Sequence, residues 1–267
     1  MSTTTDATGP EGAGPAPGRA RAGWLGACRS ARRAHRKAVT RQAASVLLGY
    51  PDRVFFERLP LVARAVAELP RGAVRDALRE FCGHACGTPE LELCTHYVDV
   101  FDLRRRRSLH MTYYTDGDTR RRGRSLAEIK AVYREAGWEV LPGELPDHLA
   151  VLLEFSARGG AGERGEELLL RFRPGLDLLA RALEEYGTPY ARVVDAVRKT
   201  LPDQGADGRA AVDRLVSQGV PAEAVGLEPY GARSPLPMAG PVPAPRAGRP
   251  EGGGGPGGDA REEGRVR

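Results

Sequence analysis

The sequence contains few of the residues and motifs that support chemistry. Only four of its 267 residues are cysteine, no two of them form a CxxC pair, and aromatic residues make up 6%. There is no GxxxxGK[ST] motif and no GxGxxG motif after a strand, so nucleotide chemistry is not predicted. The longest apolar runs fall short of about 18 residues, which excludes a membrane-spanning helix. No apolar segment of an export signal follows Arg32-Arg33, and we expect a cytoplasmic location.

Charge and flexible residue types are concentrated at the two ends of the chain. Residues 1–41 carry eight basic and two acidic side chains, whereas the remainder is close to neutral. Before residue 41 and after residue 230, large apolar residues are almost absent, so burial cannot offset the entropy lost on ordering. We therefore expect a disordered basic tail over residues 1–40, a folded domain over 41–230 and a disordered Gly/Pro-rich tail over 231–267.

Apolar residues recur at helical spacing throughout residues 41–201, and no stretch of five residues alternates as a strand does. The turn signal Gly49-Tyr50-Pro51 ends the first of these helices. Ser125 is predicted to cap a helix that ends at Gly137, and Pro174-Gly175 is predicted to kink or split a later one. These patterns predict an all-α protein, a single-domain helical bundle between two tails.

Three cysteines and two histidines form a cluster with a superficial likeness to a metal site: Cys82, His84, Cys86, Cys94 and His96. Cys82 and Cys86 would share one helix face, but His84 would point away from it. Zinc sites usually contain a CxxC pair as well. We interpret the cysteines as small buried apolar residues and expect no metal and no cofactor.

Arginines flank a short apolar and aromatic segment between residues 102 and 124. They fall in residues 104–107 and 120–124, around Tyr113 and Tyr114. Basic residues mixed with aromatics occur on nucleic-acid-binding surfaces. A solvated charged loop has the same composition, and so does a surface that docks another polypeptide. Residue types alone leave these three interpretations open.

The sequence Glu144-Leu145-Pro146-Asp147-His148 also has more than one interpretation. A proline followed by an acidic residue can simply begin a helix. Neighbours in a helix do not face each other, so Asp147 and His148 are poorly placed to act as an acid–base pair. No readable motif places a serine or cysteine nucleophile beside them. We therefore predict a binding protein, not an enzyme.

Several segments together resemble one known family. Residues 97–102, 108–114, 117–123 and 144–155, with Tyr133 and Gly137, are similar in order and spacing to the nitrate reductase molybdenum cofactor assembly chaperones of the NarJ (delta-subunit) type. Residues 43–52 resemble the first helix and turn of that family, and residues 226–230 resemble its C-terminal end. His110 stands where the family pattern favours a more apolar or aromatic residue.

The resemblance implies a helical chaperone that binds the catalytic (alpha) subunit of a respiratory nitrate reductase, chiefly its N-terminal segment. It would keep this client competent for insertion of the molybdenum cofactor and an iron–sulfur cluster, and would not be part of the finished enzyme. No nucleic acid and no stable membrane insertion are expected. The residues predicted to bind the client peptide are Tyr97, Asp102, Tyr113, Tyr114, Asp118, Arg120, Glu144, Pro146, Asp147 and His148.

Two alternatives to this function remain. The chain could assist another molybdoenzyme of the dimethyl sulfoxide or trimethylamine oxide reductase type. It could also be a helical protein that binds nucleic acid through residues 104–107 and 120–124, in which case its affinity would fall steeply with salt.

Overall fold

The structure is a computed structural model that describes residues 17–158 and 162–203, a few positions from 205 to 217, and side chains from residue 26 onward. Contacts divide the chain into a unit Met1–Glu223 and a unit Ala224–Arg267, the second of which lies outside the described residues. The predicted tail 231–267 and the family-like residues 226–230 lie outside them as well.

The described part of the chain is helical and contains no β-strand, which confirms the predicted all-α class. A π-helical turn (Val98–Asp102) and a 3-10 turn (Arg105–Arg107) connect the fourth and fifth α-helices. The α-helices are α1 (Pro17–Leu47), α2 (Arg53–Glu68), α3 (Ala73–Gly87), α4 (Glu90–Tyr97), α5 (Met111–Asp116), α6 (Arg120–Glu135), α7 (Leu149–Ala157), α8 (Gly162–Arg171), α9 (Arg173–Tyr186) and α10 (Tyr190–Arg198).

The C-terminal half of α1 is the centre of the bundle. It packs against α7, α2 and α10, while α10 also packs against α3 and α9. Leu47 and Leu48 of this segment are fully buried. Rings from three helices and the π-helical turn meet nearby, where Tyr190 contacts Phe81, Tyr97 and Phe101. One aromatic part of the core therefore lies among α3, α4, the π-helical turn and α10, and every α-helix contributes buried residues to the core.

Local sequence signals explain most helix ends. The Asp52 side chain accepts the Phe55 N–H at 2.8 Å and begins α2, directly after the predicted turn. The predicted split at Pro174 is confirmed, because α8 ends at Arg171 and α9 carries Pro174 in its first turn. Gly187 adopts a left-handed conformation (φ 77°) at the end of α9, which glycine tolerates without strain.

Two predicted boundaries differ from the structure. Ser125 does not begin a helix, since Thr119 caps α6 by accepting the Arg121 N–H, and Ser125 is buried within that helix. The first helix begins at Pro17, so the predicted boundary at residue 40 falls inside a helix. Alanine and arginine favour helix, and helix propagates easily from a segment already formed and packed. The predicted disorder of residues 1–16 lies outside the described residues.

Within the described residues, none of the helices is long and apolar enough to cross a membrane.

Candidate functional site

The loop before α7 and the segment before α5 are joined by backbone hydrogen bonds. The Met111 N–H donates to the Asp147 carbonyl at 3.0 Å, and the Leu149 N–H donates to the Leu109 carbonyl at 2.8 Å. These bonds form an isolated antiparallel bridge between His110 and His148. Two segments that the sequence suggested as parts of one site therefore lie side by side.

Asp147 is the polar centre of this junction and is 0% exposed. Thr112 donates its backbone N–H at 3.3 Å and its hydroxyl at 2.5 Å to one carboxylate oxygen. His110 Nδ1 lies 3.2 Å from the other oxygen, and the Arg122 guanidinium lies 3.7 Å from the first. Asp147 therefore connects α7, α5 and α6 inside the protein, and its side chain has no surface to offer a bound peptide.

The charge on Asp147 is stabilised by these partners. Burial by itself would raise the pKa of the carboxyl group. The hydrogen bonds from His110 and Thr112 and the charge of Arg122 outweigh burial, so the pKa of Asp147 lies below its ordinary value. Asp147 is consequently a carboxylate at neutral pH, as a buried acceptor of several donors should be.

His148 begins α7 with its side chain. Its Nδ1 accepts the Ala150 N–H at 3.3 Å, so the proton of the neutral ring is on Nε2. Burial, together with the nearby His110, lowers the pKa of His148 to about 4 despite the opposing charge of Asp147. His148 is therefore uncharged at neutral pH, and it cannot supply a pH dependence of binding between pH 6 and 7.

Pro146 is held inside the protein as well. Its carbonyl oxygen accepts the Tyr133 hydroxyl at 2.8 Å. The Tyr133 ring packs against Trp138 and Phe155, which fixes the loop on α6 and α7. The Pro146-Asp147 pair thus positions its neighbours, and the exposed parts of the motif are Glu144 and Leu145.

These neighbours line a groove of about 580 Å³ formed by the C-terminal part of α1, the start of α2, α7 and the loop before α7. We call it the α1/α2/α7 groove. It is lined by three of the predicted site residues, Glu144, His148 and Tyr97. Tyr97 is buried at the base of the groove, where its hydroxyl donates to the Leu48 carbonyl at 3.2 Å. The other lining residues are Gln42, Ser45, Val46, Gly49, Tyr50, Asp52, Val54, Phe55, Arg58, His110, Gly143, Leu145, Ala150, Val151 and Glu154.

The α1/α2/α7 groove combines exposed apolar side chains with negative charge. Tyr50, Val54 and Leu145 are 50%, 40% and 41% exposed and line the same groove. Its acidic lining residues are Asp52, Glu144 and Glu154, of which Glu154 pairs with Arg158 at 2.6 Å. Arg58 is the basic residue of the lining. The surface therefore suits a peptide that carries apolar and basic residues.

The apolar rim was not predicted from the sequence as a binding site. Tyr50 follows Gly49 in the predicted turn, and Val54 lies off the apolar stripe of α2 that begins at Phe55. Their exposure could have been predicted from the sequence, because an apolar residue that lies outside the buried stripe of a helix stays on the surface. Leu145 carried no comparable signal.

The remaining predicted site residues lie outside this groove. Tyr114 is buried, and its hydroxyl donates to the carbonyls of Arg106 and Ser108. Tyr113 is half-buried against the core. Asp118 forms an exposed ion pair with Arg105, and Asp102 and Arg120 are also exposed. The structure thus brings Tyr97, Glu144 and His148 together and places the other predicted contacts elsewhere.

The Cys/His cluster is arranged as separate groups. Among the described residues, no three or more His, Cys, Asp and Glu side chains are placed to share a metal ion. Cys82 is buried and burial raises the pKa of its thiol to about 11, while Cys94 donates to the Pro51 carbonyl. His96 Nε2 lies 2.8 Å from the Thr188 hydroxyl. The prediction of small buried cysteines is confirmed for Cys82, whereas Cys94 is half-buried and the prediction is wrong for Cys86, which is exposed.

Comparison with known proteins finds similarity to one family. The profile described as nitrate reductase delta subunit matches residues 68–195. The chain is 39% identical over 159 residues to the nitrate reductase-like protein NarX of Mycobacterium tuberculosis. That match covers 60% of this chain, and the chain spans only 24% of the NarX length.

Two shorter relatives are matched over most of their length. The chain is 29% identical over 167 residues to the "probable nitrate reductase molybdenum cofactor assembly chaperone NarJ" of Bacillus subtilis, covering 62% of this chain and 90% of that protein. It is 28% identical over 177 residues to the nitrate reductase molybdenum cofactor assembly chaperone NarJ of Escherichia coli, covering 65% and 74%. Over residues 68–195 the chain is therefore similar to the nitrate reductase delta-subunit family.

Proposed function

We propose that this protein is a maturation chaperone for the catalytic subunit of a respiratory nitrate reductase and that it binds the N-terminal segment of that client in the α1/α2/α7 groove. The observation that carries the proposal is the convergence of Glu144 and His148 with the exposed apolar residues Tyr50 and Val54. The names of the NarJ relatives support the kind of client.

The chemistry of the groove favours an amphipathic basic peptide. An apolar side chain of the client would cover Tyr50, Val54 and Leu145, which removes apolar surface from water. A basic residue of the client would lie close to Glu144 or Asp52, while the neutral His148 can donate from Nε2 to a peptide carbonyl. A short helix or an extended segment laid into a groove is a common mode of peptide recognition.

A chaperone of this kind needs a difference in affinity between two states of its client. The N-terminal segment is accessible while the catalytic subunit is unfinished, and it is withdrawn once the molybdenum cofactor and the iron–sulfur cluster hold the folded state together. Binding then stabilises the open state only and ends when the client closes. In this mechanism the protein changes no covalent bond, and it leaves before the finished enzyme is complete.

Calorimetry with the full chain and a synthetic peptide from the N-terminus of the catalytic subunit tests the proposal. Val54→Asn should weaken binding about fivefold to tenfold, because part of a buried apolar contact worth roughly 1 kcal/mol is lost. Leu61→Asn is the matched control, since Leu61 is also an exposed apolar residue of α2, at 66%, but lies outside the groove.

Charge is tested in the same way with Glu144→Gln, which should weaken a basic peptide about tenfold through the loss of one charge-assisted contact. Equal affinities for wild type, Val54→Asn and Glu144→Gln would remove the α1/α2/α7 groove from the binding site. Tight binding of a peptide from a dimethyl sulfoxide reductase type of enzyme, with no binding of the nitrate reductase peptide, would reassign the client.

A further inference from the structure

Two histidine side chains lie next to each other in the α1/α2/α7 groove. His110 and His148 are the opposed residues of the antiparallel bridge between the segment before α5 and the loop before α7. The two bridging hydrogen bonds are made by their chain neighbours, so His110 and His148 form a non-hydrogen-bonded pair, whose side chains lie close together on one face. Their ring centroids are accordingly 5.2 Å apart, and both residues line the groove.

Each ring uses its Nδ1 atom inside the protein. His148 Nδ1 accepts the Ala150 N–H at 3.3 Å, which leaves the hydrogen of this uncharged ring on Nε2. His110 Nδ1 lies 3.2 Å from a carboxylate oxygen of Asp147, and because that oxygen can only accept, His110 donates from Nδ1. In the neutral form of His110, Nε2 then has no hydrogen and is an acceptor. The two Nε2 atoms are therefore one donor and one acceptor.

Neither of these Nε2 atoms is occupied by the protein itself. Among the described residues, the side-chain hydrogen bonds of His110 and His148 all involve Nδ1. The buried side-chain atoms that lack a partner there belong to Arg75, His84 and Tyr190, so the two Nε2 atoms are accessible to solvent. The groove consequently presents a donor and an acceptor, from adjacent rings, to a bound molecule.

The backbone of the two histidines does not offer an alternative. The His110 N–H donates to the Ser108 hydroxyl at 3.2 Å, and the His148 N–H donates to the Leu145 carbonyl at 3.1 Å. A peptide that binds as an added strand needs unpaired N–H groups along the edge that it joins. Both N–H groups are already used, so recognition at this position falls to the ring nitrogens.

We propose that the Nε2 atoms of His110 and His148 form a subsite for amide groups, in which His110 accepts an amide N–H of the client and His148 donates to an amide carbonyl. The proposal rests on the proposed function, since it assumes that the client peptide lies in the α1/α2/α7 groove. A carboxylate has acceptors only, and an ammonium or guanidinium group has donors only, so a charged group satisfies one ring and not the other. An amide carries both, and it loses less hydration than an ion does when it is bound.

Amide groups of a peptide reach such a subsite in two ways. In an extended peptide, the N–H and the carbonyl of one residue point to the same side and are unpaired. In a helical peptide these groups are bonded within the helix, and the carboxamide of an Asn or Gln side chain remains. Both sources present the same chemistry to the two rings, and changes in the peptide distinguish them.

Asparagine separates the two functions of each ring, because its amide ends near the position of Nδ1 and does not reach that of Nε2. In His110→Asn the NH2 group can still donate to Asp147, and in His148→Asn the oxygen can still cap α7, a role that asparagine fulfils well. Each variant of the full chain should therefore melt close to the wild type. Each should bind the N-terminal peptide of the catalytic subunit about threefold to tenfold more weakly, as expected for one neutral hydrogen bond.

Calorimetry at about pH 8, above the range in which histidine usually titrates, measures these affinities. His35→Asn is the matched control and should bind like the wild type, since His35 is exposed and lies outside the α1/α2/α7 groove.

Two series of peptides identify the source of the amide. In one series each Asn or Gln is replaced singly by Leu, and in the other single backbone nitrogens are methylated. A change in one series should weaken binding to the wild type by a similar factor and have little effect on binding to His110→Asn. This comparison stays valid for a variant that melts lower, because both peptides are measured on the same protein.

Three results would overturn the subsite. Unchanged affinity in both His110→Asn and His148→Asn, with weaker binding of Glu144→Gln, would remove the subsite and leave the proposed function intact. Sensitivity of binding to replacement of a Ser or Thr of the peptide by Ala, and to neither amide series, would assign the two rings to a hydroxyl group. Failure of the peptide to bind the wild type would overturn the subsite and the proposed function together.

Discussion

At the scale of single residues, the network around Asp147 illustrates how a buried charge can be tolerated. Moving a carboxylate out of water is unfavourable by several kcal/mol unless hydrogen bonds and opposite charges replace the water. Thr112 contributes two hydrogen bonds, and His110 and Arg122 approach from other sides. Because these donors come from separate segments, the same carboxylate that needs them also fixes α5 and α6 beside α7.

Replacement of Asp147 by asparagine should therefore destabilise the fold. Asparagine retains one acceptor oxygen but brings an NH2 group toward donors, and it loses the charge. We expect the free energy of unfolding to fall by about 2–3 kcal/mol, the usual contribution of hydrogen bonds to a charged group. Urea unfolding at pH 7 measures this. Asp118→Asn is the control, since the exposed pair of Asp118 with Arg105 should contribute less than about 1 kcal/mol.

The effect of Asp147→Asn should also depend on pH with a definite sign. The pKa of Asp147 is lower in the folded state than in the unfolded chain, where it is near 3.9. The stabilisation is therefore complete above about pH 4 and is lost as the pH falls through the folded pKa. Wild type and variant should converge in stability at low pH. A loss no larger than that of Asp118→Asn at pH 7 would contradict the role assigned to Asp147.

For this region, the sequence predicted which segments belong together better than it predicted which of their side chains are buried. The family-like motifs put residues 108–114 and 144–149 in one predicted site, and the structure places these two segments side by side. The motifs did not indicate that Asp147 is inside the protein, because its burial depends on pairing with Thr112, 35 residues away. Tyr114 was equally ambiguous: a tyrosine in a charged segment is exposed or buried according to the helix that covers it, here α9.

At the scale of helices, close backbone approach decides which elements can pack. A Cβ atom at Gly165 of α8 would lie 2.5 Å from the Cα of Ser156 in α7, and one at Gly175 of α9 would lie 2.8 Å from the Cβ of Tyr114 in α5. Neither distance is possible without movement of a helix. The two glycines therefore allow α7 to meet α8 and α5 to meet α9.

Gly165→Ala should destabilise the protein although alanine is the better helix former. The added methyl group would force α7 and α8 apart, and overpacking of this kind is typically unfavourable by about 1–3 kcal/mol. Gly83→Ala is the matched control in α3, because a Cβ there meets nothing within 4 Å. It should stabilise the protein by up to about 1 kcal/mol through helix propensity. Thermal melts that move in the same direction for both variants would argue against close packing of α7 on α8.

Helix ends were predictable where one local signal was dominant. The turn Gly49-Tyr50-Pro51 follows the end of α1, and Pro174 lies where α8 and α9 separate, as predicted. The start of α6 was not predictable in this way, because by residue type Ser125 is a better cap than Thr119. The choice follows from Gly117, whose φ of 62° ends α5 just before Thr119. No pattern within α6 itself carries that information.

At the scale of the whole molecule, α1 has two parts with different roles in stability. From Thr40 onward it forms the centre of the bundle, whereas residues 29–36 are exposed. Between them, Lys37 and Arg41 pair with Glu166, and Arg41 also donates to the Thr200 hydroxyl at 3.1 Å. Burial lowers the pKa of Arg41 although Glu166 opposes the shift, which reflects a guanidinium held inside the protein.

Two truncations of the N-terminus should therefore behave differently. Removal of residues 1–36 leaves Lys37 and Arg41 in place, so cooperative melting should persist with a small change in midpoint. The helical circular dichroism should fall only by the contribution of the deleted turns.

Removal of residues 1–41 deletes both cations and leaves Glu166 and Thr200 without these partners. Because Arg41 is buried but Glu166 is 28% exposed, we expect the free energy of unfolding to fall by about 1–3 kcal/mol. The single substitution Arg41→Met, which keeps the length of the side chain, should reproduce most of that loss in the full chain. Loss of cooperative melting already in the chain that lacks residues 1–36 would show that the exposed half of α1, or the segment before it, stabilises the bundle.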